Sequence, residues 1–324
     1  MPAIDRLPPA LRIDDATLKL LQCPNCAGDL ALASERFDCQ VCGAEFPVSH
    51  GVPILVVPQK SIFDIETFTN QDPTFFRPVG KLREFISRYI PDVSMNVSSA
   101  AVYDRMRDHL LANTDRPTVL VIGGGVIGGG MDSLINDPRI RFIETDVAVA
   151  PRTKLICDGH DLPFQDQSVD AVIVQAVLEH VVDPYRCVAE IHRVLKPNGL
   201  VYSDTPFIQQ VHGRQFDFTR FTRLGHRRLF RNFKEMESGI SCGPGVALAW
   251  TARYFLLSCF QNQSLRAAAS LLARLTLWPL KYVDRVIAKK DSALDAASAF
   301  YFLGQRSDTT FSDRELINSY KGGF

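Results

Sequence analysis

The sequence predicts an α/β protein: a Rossmann-like, mostly parallel sheet with a small metal-binding ribbon before it and a helical extension after it. Three observations carry this. From Pro117 short apolar β-prone runs alternate with helix-like segments. The first of these runs ends in the glycine-rich turn Gly123-Gly-Gly125-Val-Ile-Gly128, and four of the eight cysteines fall in one N-terminal stretch. A chain of 324 residues, 46% hydrophobic and 22% charged, suits roughly two globular domains at ~100–200 residues each. Lys+Arg and Asp+Glu both number 36, so no global field draws the protein onto a polyanion, and bulk nucleic-acid binding is disfavoured. The longest apolar stretch, Val246 to Phe260, is broken by Arg253, so no membrane-spanning segment is expected. The N-terminal residues are acidic and proline-bearing rather than basic and then apolar, and a cytoplasmic protein is expected.

The first element is the ribbon. Cys23-Pro-Asn-Cys26 and Cys39-Gln-Val-Cys42 stand twelve residues apart. Two residues between cysteines let both sulfurs of a tight turn face one point, and two such knuckles supply a closed tetrahedral zinc site that holds structure rather than performs chemistry. Gly28 and Gly43 follow the pairs where the chain must turn sharply. The text LLQCPNCAGDLAL, then FDCQVCGAEFPVSHGVPILV, resembles the small zinc-binding proteins that bind and activate RNA and protein methyltransferases. The resemblance covers about residues 17–58 and implies a methyltransferase partner, which the rest of the chain would supply. The ribbon domain is expected over 1–58 and a connector over 59–100, where Asp72-Pro73, Arg77-Pro78 and Pro91 interrupt weak helical patterns.

The sheet comes next. Val119-Leu-Val-Ile122, Phe142-Ile143, Leu155-Ile156, Ala171-Val-Ile-Val174 and Leu200-Val-Tyr202 are the expected strands. Asp183 caps a helix opened by Pro184, with Val188, Ile191 and Leu195 as its apolar stripe, and Lys196-Pro197-Asn198-Gly199 ends it. Glycine in the turn after the first strand lets backbone approach a nucleotide at the sheet's carboxyl edge. By itself that spacing serves NAD or S-adenosylmethionine (SAM) equally. An acid ending the second strand can hold ribose hydroxyls, and Asp146 is preferred over Glu144.

From Asp158-Gly-His-Asp-Leu-Pro-Phe through Gln175-Ala-Val-Leu-Glu-His180 to Glu190-Ile-His-Arg-Val-Leu-Lys-Pro-Asn-Gly199, the chain resembles class I SAM-dependent methyltransferases, over about residues 117–235. The resemblance implies a seven-stranded sheet within a catalytic domain at 101–245. It also implies that Gly123, Gly125 and Gly128 line the methionine part of SAM, that Asp146 holds the ribose, and that Asp158 with the backbone of Gly159 faces the adenine. Val121 stands where the family often has an acid. Only eleven residues separate Asp146 from Asp158, too few for the usual intervening helix.

The loop after the fifth strand gathers His212, Arg214, Asp217 and Arg220 among aromatic residues, a mixture suited to a polar acceptor. His212 is the expected general base and His180 a pocket wall that could also act as one; Arg214, Asp217 and Arg220 are the expected substrate contacts. Between His212 and Lys234 the net charge is +6, which favours an anionic acceptor, and a weaker likeness to relatives of glycan-modifying methyltransferases suggests a glycan or lipid-linked sugar. Arg227, Arg228 and Arg231 are expected on the solvated face of a helix capped by Thr222. Residues 246–324 are expected as a helical extension. Its apolar stretches would cover the sheet, form a homodimer face, or sit at a lipid surface through Trp278, Lys281, Tyr282, Arg285, Lys289 and Lys290. The expected activity is methyl transfer from SAM to an oxygen or nitrogen. The alternatives are a NAD-dependent oxidoreductase and a non-catalytic interaction module.

Overall fold

The computed structural model describes residues 11–70 and 89–323; the connector residues 71–88, with Asp72-Pro73 and Arg77-Pro78, lie outside them. After a short helix α1 (Asp15–Leu18), the ribbon is built from β1 (Leu30–Ala33), β2 (Arg36–Cys39), β3 (Glu45–Ser49) and β4 (Val52–Leu55) in antiparallel succession. Short α2 (Ile65–Thr69) and the long α3 (Ser99–Asn113) follow. The main sheet then comprises β5 (Thr118–Ile122), β6 (Arg141–Asp146), β7 (Leu155–Cys157), β8 (Val169–Gln175), β9 (Leu195–Pro206), β10 (Phe233–Cys242) and β11 (Ala299–Arg306).

The sheet has eleven strands among the described residues, in the order β1-β2-β3-β4-β7-β6-β5-β8-β9-β11-β10, not the seven expected. Seven of them, from β7 to β10 in that order, make the expected sheet. The ribbon supplies the other four, because β4 pairs in parallel with β7 through Ile54↔Ile156 and Leu55↔Cys157. A sheet edge with unmet amides needs a partner, and Val52-Pro-Ile-Leu55, buried at every position, meets that edge. Cys23, Phe37 and Phe46 of the ribbon share one apolar cluster with Leu55, Leu120, Leu162 and Phe164. Ribbon and sheet therefore have a common core.

All five residues of β5 are buried, as a parallel strand covered on both faces requires. Between β5 and β6 lies only the short α4 (Asp132–Ile135), and β6 and β7 are joined without a helix. The crossover helix α5 (Pro184–Val194) starts where the sequence predicts: Asp183 accepts from the Arg186 N–H at 3.1 Å and Pro184 occupies the first turn. It ends at Val194, and β9 begins at Leu195, so Leu195 belongs to the strand.

Two expectations are corrected. The stretch after residue 245 is first helical, in α7 (Pro244–Ser258), α8 (Gln263–Leu277) and α9 (Leu280–Ile287). The chain then returns as β11, wedged antiparallel between β9 and β10, before a terminal α10 (Asp313–Asn318). The run Ala299-Phe-Tyr-Phe-Leu-Gly304 is buried throughout, the pattern of a central strand rather than an amphipathic helix. The second correction concerns α6 (Arg223–Leu229), which Thr222 caps through the Gly225 N–H. Arg227 is not solvated: its guanidinium lies over Phe302 and Phe311, pairs with Glu235 at 2.9 Å and donates to the Phe230 and Phe233 carbonyls. Arg231 lies beyond the helix end. On α7 to α9, Leu248, Phe255, Leu272 and Val286 are exposed, while Lys281 donates to the Asp92 carbonyl at 2.7 Å. Among the described residues no helix is long and apolar enough to cross a membrane.

Candidate functional site

At the carboxyl ends of β5, β6, β7 and β8 lies a cavity of about 450 Å³, within the usual size range of small-molecule sites. Gly123, Gly128, Asp146, Asp158, Gly159, His180 and His212 all line it. Gly125 sits behind the wall, its N–H donating to Asp146 Oδ2 at 2.9 Å. Glycine is required at the start of the turn: Gly123 has φ +73°, and a Cβ there would lie 2.4 Å from Val177 Cγ2. At Gly128 a Cβ would lie 2.0 Å from Gln175 Oε1, so that side chain would have to move. A larger hollow of about 810 Å³, lined by Glu237, Arg285, Lys289 and Lys290 among others, touches none of these glycines or strand-end carboxylates, and the smaller cavity is the better site on chemistry.

The two carboxylates differ in electrostatic setting. Asp146 is buried, which raises its pKa to about 6 against the opposing N–H bonds of Gly125, Val147 and Ala148. Glu144 does not compete for the role: it is paired with Arg152 and, at 2.6 Å, with Lys154. Asp158 is also pushed up by burial, but hydrogen bonds from His160 and Ser61 outweigh that and hold it below the usual carboxylate value. His160 Nδ1 donates to Asp158 Oδ1 at 2.6 Å while its Nε2 accepts from the Asp183 N–H at 3.0 Å, so neighbours on both sides fix the ring.

The other end of the cavity holds His180, His212 and Gly213. His180 Nδ1 bonds the Phe216 carbonyl at 2.7 Å, and His212 Nδ1 bonds the Gln210 carbonyl at 3.2 Å. Burial works against charge on His212, but the carboxylates of Glu179 and Asp217 and the Gln210 carbonyl raise its pKa above the usual value. Asp217 accepts from the N–H groups of His212 and Gly213 at 2.7 and 2.9 Å and pairs with Arg220. Arg220 also donates to the Gln209 and Gln210 carbonyls. Both side chains thus staple their own loop, and Arg214 is an exposed residue of its turn.

The four ribbon cysteines converge, with every sulfur within 4.8 Å of the others. The Cys23–Cys42 and Cys26–Cys39 sulfurs are 3.8 and 3.5 Å apart; four thiolates around one zinc sit about 3.8 Å apart, so the cluster fits that ion. The N–H groups of Asn25 and Cys42 point at Cys23 and Cys39 sulfurs, and the Ala44 N–H leads the interactions that lower the Cys42 pKa to about 6. The sharp turns fall at Ala27, φ +59°, and Gly43, φ +68°, not at Gly28. Gly28 is glycine because Val41 Cγ2 would meet its Cβ at 2.6 Å.

Sequence reasoning missed four residues of the cavity region. Ser61, Ile62 and Phe63 follow the ribbon, and the last two line the cavity. No motif marks them. Glu179, directly before His180 in a quoted motif, is completely buried with neither carboxylate oxygen hydrogen-bonded among the described residues. Its place beside a pocket histidine was the available signal.

Residues 136–203 match the methyltransferase domain family. An uncharacterized methyltransferase of Mycobacterium bovis is 34% identical over 125 residues, 33% of this chain and 51% of that one. Another, from Mycolicibacterium gilvum, is 32% identical over 135 residues, 38% and 52% of the two chains. The demethylmenaquinone methyltransferase of Clavibacter sepedonicus is 35% identical over 77 residues, 24% and 26% of the two chains. The chain spans about half the length of the first two relatives. Among solved structures, the complex of the Haloferax volcanii methyltransferase activator Trm112 with a methyltransferase aligns with TM-score 0.37 and 21% identity over 64% of this chain and 96% of that one. Geranyl diphosphate C-methyltransferase of Streptomyces coelicolor aligns with TM-score 0.40 and 15% identity over 64% and 76%.

Proposed function

We infer that this chain is a SAM-dependent methyltransferase whose ribbon carries a structural zinc. The observation that carries the reading is the cavity in which Gly123, Asp146 and Asp158 meet, inside and beside the segment that matches methyltransferase domains. When bound, SAM supplies an electrophilic methyl on a sulfonium. Gly123 and Gly128 leave room for its methionine part, Asp146 accepts from the ribose hydroxyls, and Asp158 with Gly159 faces the adenine. Ile62 and Phe63, brought by the segment that leaves the ribbon, cover the cavity and exclude water.

The acceptor is an oxygen or nitrogen nucleophile that enters between His180 and His212. Methyl transfer needs the nucleophile held ~3–3.5 Å from the methyl and relieved of its proton. That relief is assigned to the group formed by Glu179, His180 and His212, of which the two histidines line the cavity. Asp217 and Arg220 set the position of His212 by folding its loop, and an anionic acceptor would meet Arg214 as the exposed cation there. No feature of the cavity among the described residues favours a glycan over another polar acceptor.

The test is calorimetric titration of the zinc-loaded protein with SAM and S-adenosylhomocysteine beside an Asp146→Ala variant. Micromolar binding that the variant loses is the expected result. Absence of binding by the folded wild type overturns the reading in favour of a non-catalytic module.

A further inference from the structure

Glu179 is a carboxylate buried to completion with no hydrogen-bond donor on either oxygen among the described residues. Such a group is costly unless a cation or proton meets it. Two imidazole nitrogens approach it: His212 Nε2 at 3.6 Å and His180 Nε2 at 3.7 Å, both from Glu179 Oε1. Each ring has its Nδ1 against a backbone carbonyl, Gln210 and Phe216 respectively. A carbonyl only accepts, so each Nδ1 carries a hydrogen, and in the neutral ring, the form that binds metal ions, each Nε2 presents a lone pair. Arg220 also approaches His212 Nδ1, at 3.5 Å, but the Gln210 carbonyl is nearer, and Arg220 is paired with Asp217. Three electron-rich atoms therefore converge on one point, a repulsive arrangement that a cation at the centre turns into an attractive one.

We propose that Glu179, His180 and His212 bind a divalent first-row transition ion at the acceptor end of the cavity. The three ligand atoms lie within 4.8 Å of one another. Ions bound at 2.0–2.2 Å by nitrogen and oxygen in tetrahedral geometry place their ligands about 3.4 Å apart, so the observed 3.6 and 3.7 Å close onto an ion with shifts of a few tenths of an ångström. Two features match metal sites. Ligating histidines hold their second nitrogen on a carbonyl, as both do here. Three protein ligands with an open side are also the pattern of reactive rather than structural sites, and here the open side is the cavity that His180 and His212 line. Two imidazoles favour zinc, iron(II) or manganese(II) over magnesium, which prefers an all-oxygen shell.

The site's role rests on the methyltransferase reading. An acceptor hydroxyl on the open position would lose its proton to solvent more readily, because the ion stabilises the oxyanion. His212 would then be a ligand, and the expectation of it as general base would give way. The site itself does not depend on that reading.

Cobalt(II) titration of the metal-stripped full chain tests it, read by elemental analysis and visible absorption. Cobalt in the four-cysteine cluster shows intense thiolate charge-transfer in the near ultraviolet, whereas cobalt at Glu179, His180 and His212 shows only weaker visible bands. Two equivalents are expected in the wild type. Glu179→Gln and His212→Ala should each weaken the second by at least about tenfold while leaving the thiolate band intact, which certifies the fold. A single equivalent confined to the thiolate band overturns the proposal, as does a second equivalent that neither variant weakens. Failure to bind SAM would remove the methyltransferase reading while a second cobalt equivalent would leave the ion site standing.

Discussion

Ser61 Oγ donates to Asp158 Oδ2 at 2.6 Å, so the chain leaving the ribbon grips the carboxylate at the end of β7. The same passage places Ile62 and Phe63 on the cavity wall, with the Phe63 ring 5.4 Å from that of Phe216 in the loop after β9. The chain leaving the ribbon therefore reaches the site through three consecutive residues.

Replacing Ser61 by Ala removes one of the hydrogen bonds that hold Asp158 in place and leaves the His160 bond. The loss is on the order of 1 kcal/mol, so SAM should bind about three- to tenfold more weakly, with a melting temperature lowered by no more than about 2–4 °C. Calorimetric titration of the two proteins decides it, and equal affinity would mean that His160 alone orients the carboxylate.

Because β4 completes the sheet edge at β7 and ribbon side chains share the main core, losing the ribbon's metal should be felt throughout the sheet. The double substitution Cys39→Ala, Cys42→Ala, or chelation, is expected to lower the melting temperature by roughly 5–10 °C, since a few kcal/mol correspond to that in a chain of this size. An unchanged melt after zinc removal would refute a structural metal.

Burial raises the Asp146 pKa to about 6. Ribose hydroxyls are best accepted by the ionised form, so affinity for SAM should be level above about pH 7 and fall as pH drops through 6, by about tenfold between pH 6 and pH 5 at most. For stability the sign is opposite: a carboxyl raised in the folded state adds stability that is fully present below its unfolded value and is lost as pH rises through about 6. Binding measured at pH 5.0 and 7.5 in the wild type and in Asp146→Asn, which cannot ionise, should show the slope in the first protein only.

The parts legible in the sequence were those with local chemistry. The paired cysteines, the glycine turn with Asp146 and Asp158, and the Asp183-Pro184 helix start all lie where spacing places them. What escaped depends on distant pairing. β11 is read as part of a helical region because nothing near Ala299 announces that β9 and β10 will flank it. The burial of Arg227 needs Phe302 and Phe311, some eighty residues away in the chain, to cover its guanidinium. Ser61 and Glu179 are ordinary residues until the fold sets one against Asp158 and the other between two histidines. The left-handed turn at Ala27 rather than Gly28 is a local feature that glycine content misplaced.

Asp284 carries the last prediction. It is completely buried on α9, and its two oxygens accept from the Gly245 and Val246 N–H groups at 2.7 and 3.0 Å, capping the start of α7 from another helix. Gly243 has no room for a side chain there, since a Cβ would lie 2.5 Å from Asp284 Cγ. Truncation to Ala leaves two helix-terminal N–H groups buried without acceptors, at about 1–3 kcal/mol each when unsatisfied. The variant Asp284→Ala should therefore lose about 2–4 kcal/mol in chemical denaturation, with Asp284→Asn intermediate because its one carbonyl oxygen can serve one N–H. Asp284 does not line the cavity at the carboxyl ends of β5 to β8, so the folded fraction of both variants should bind SAM as the wild type does. Equal stability of the three proteins would show that solvent reaches this helix end and replaces the cap.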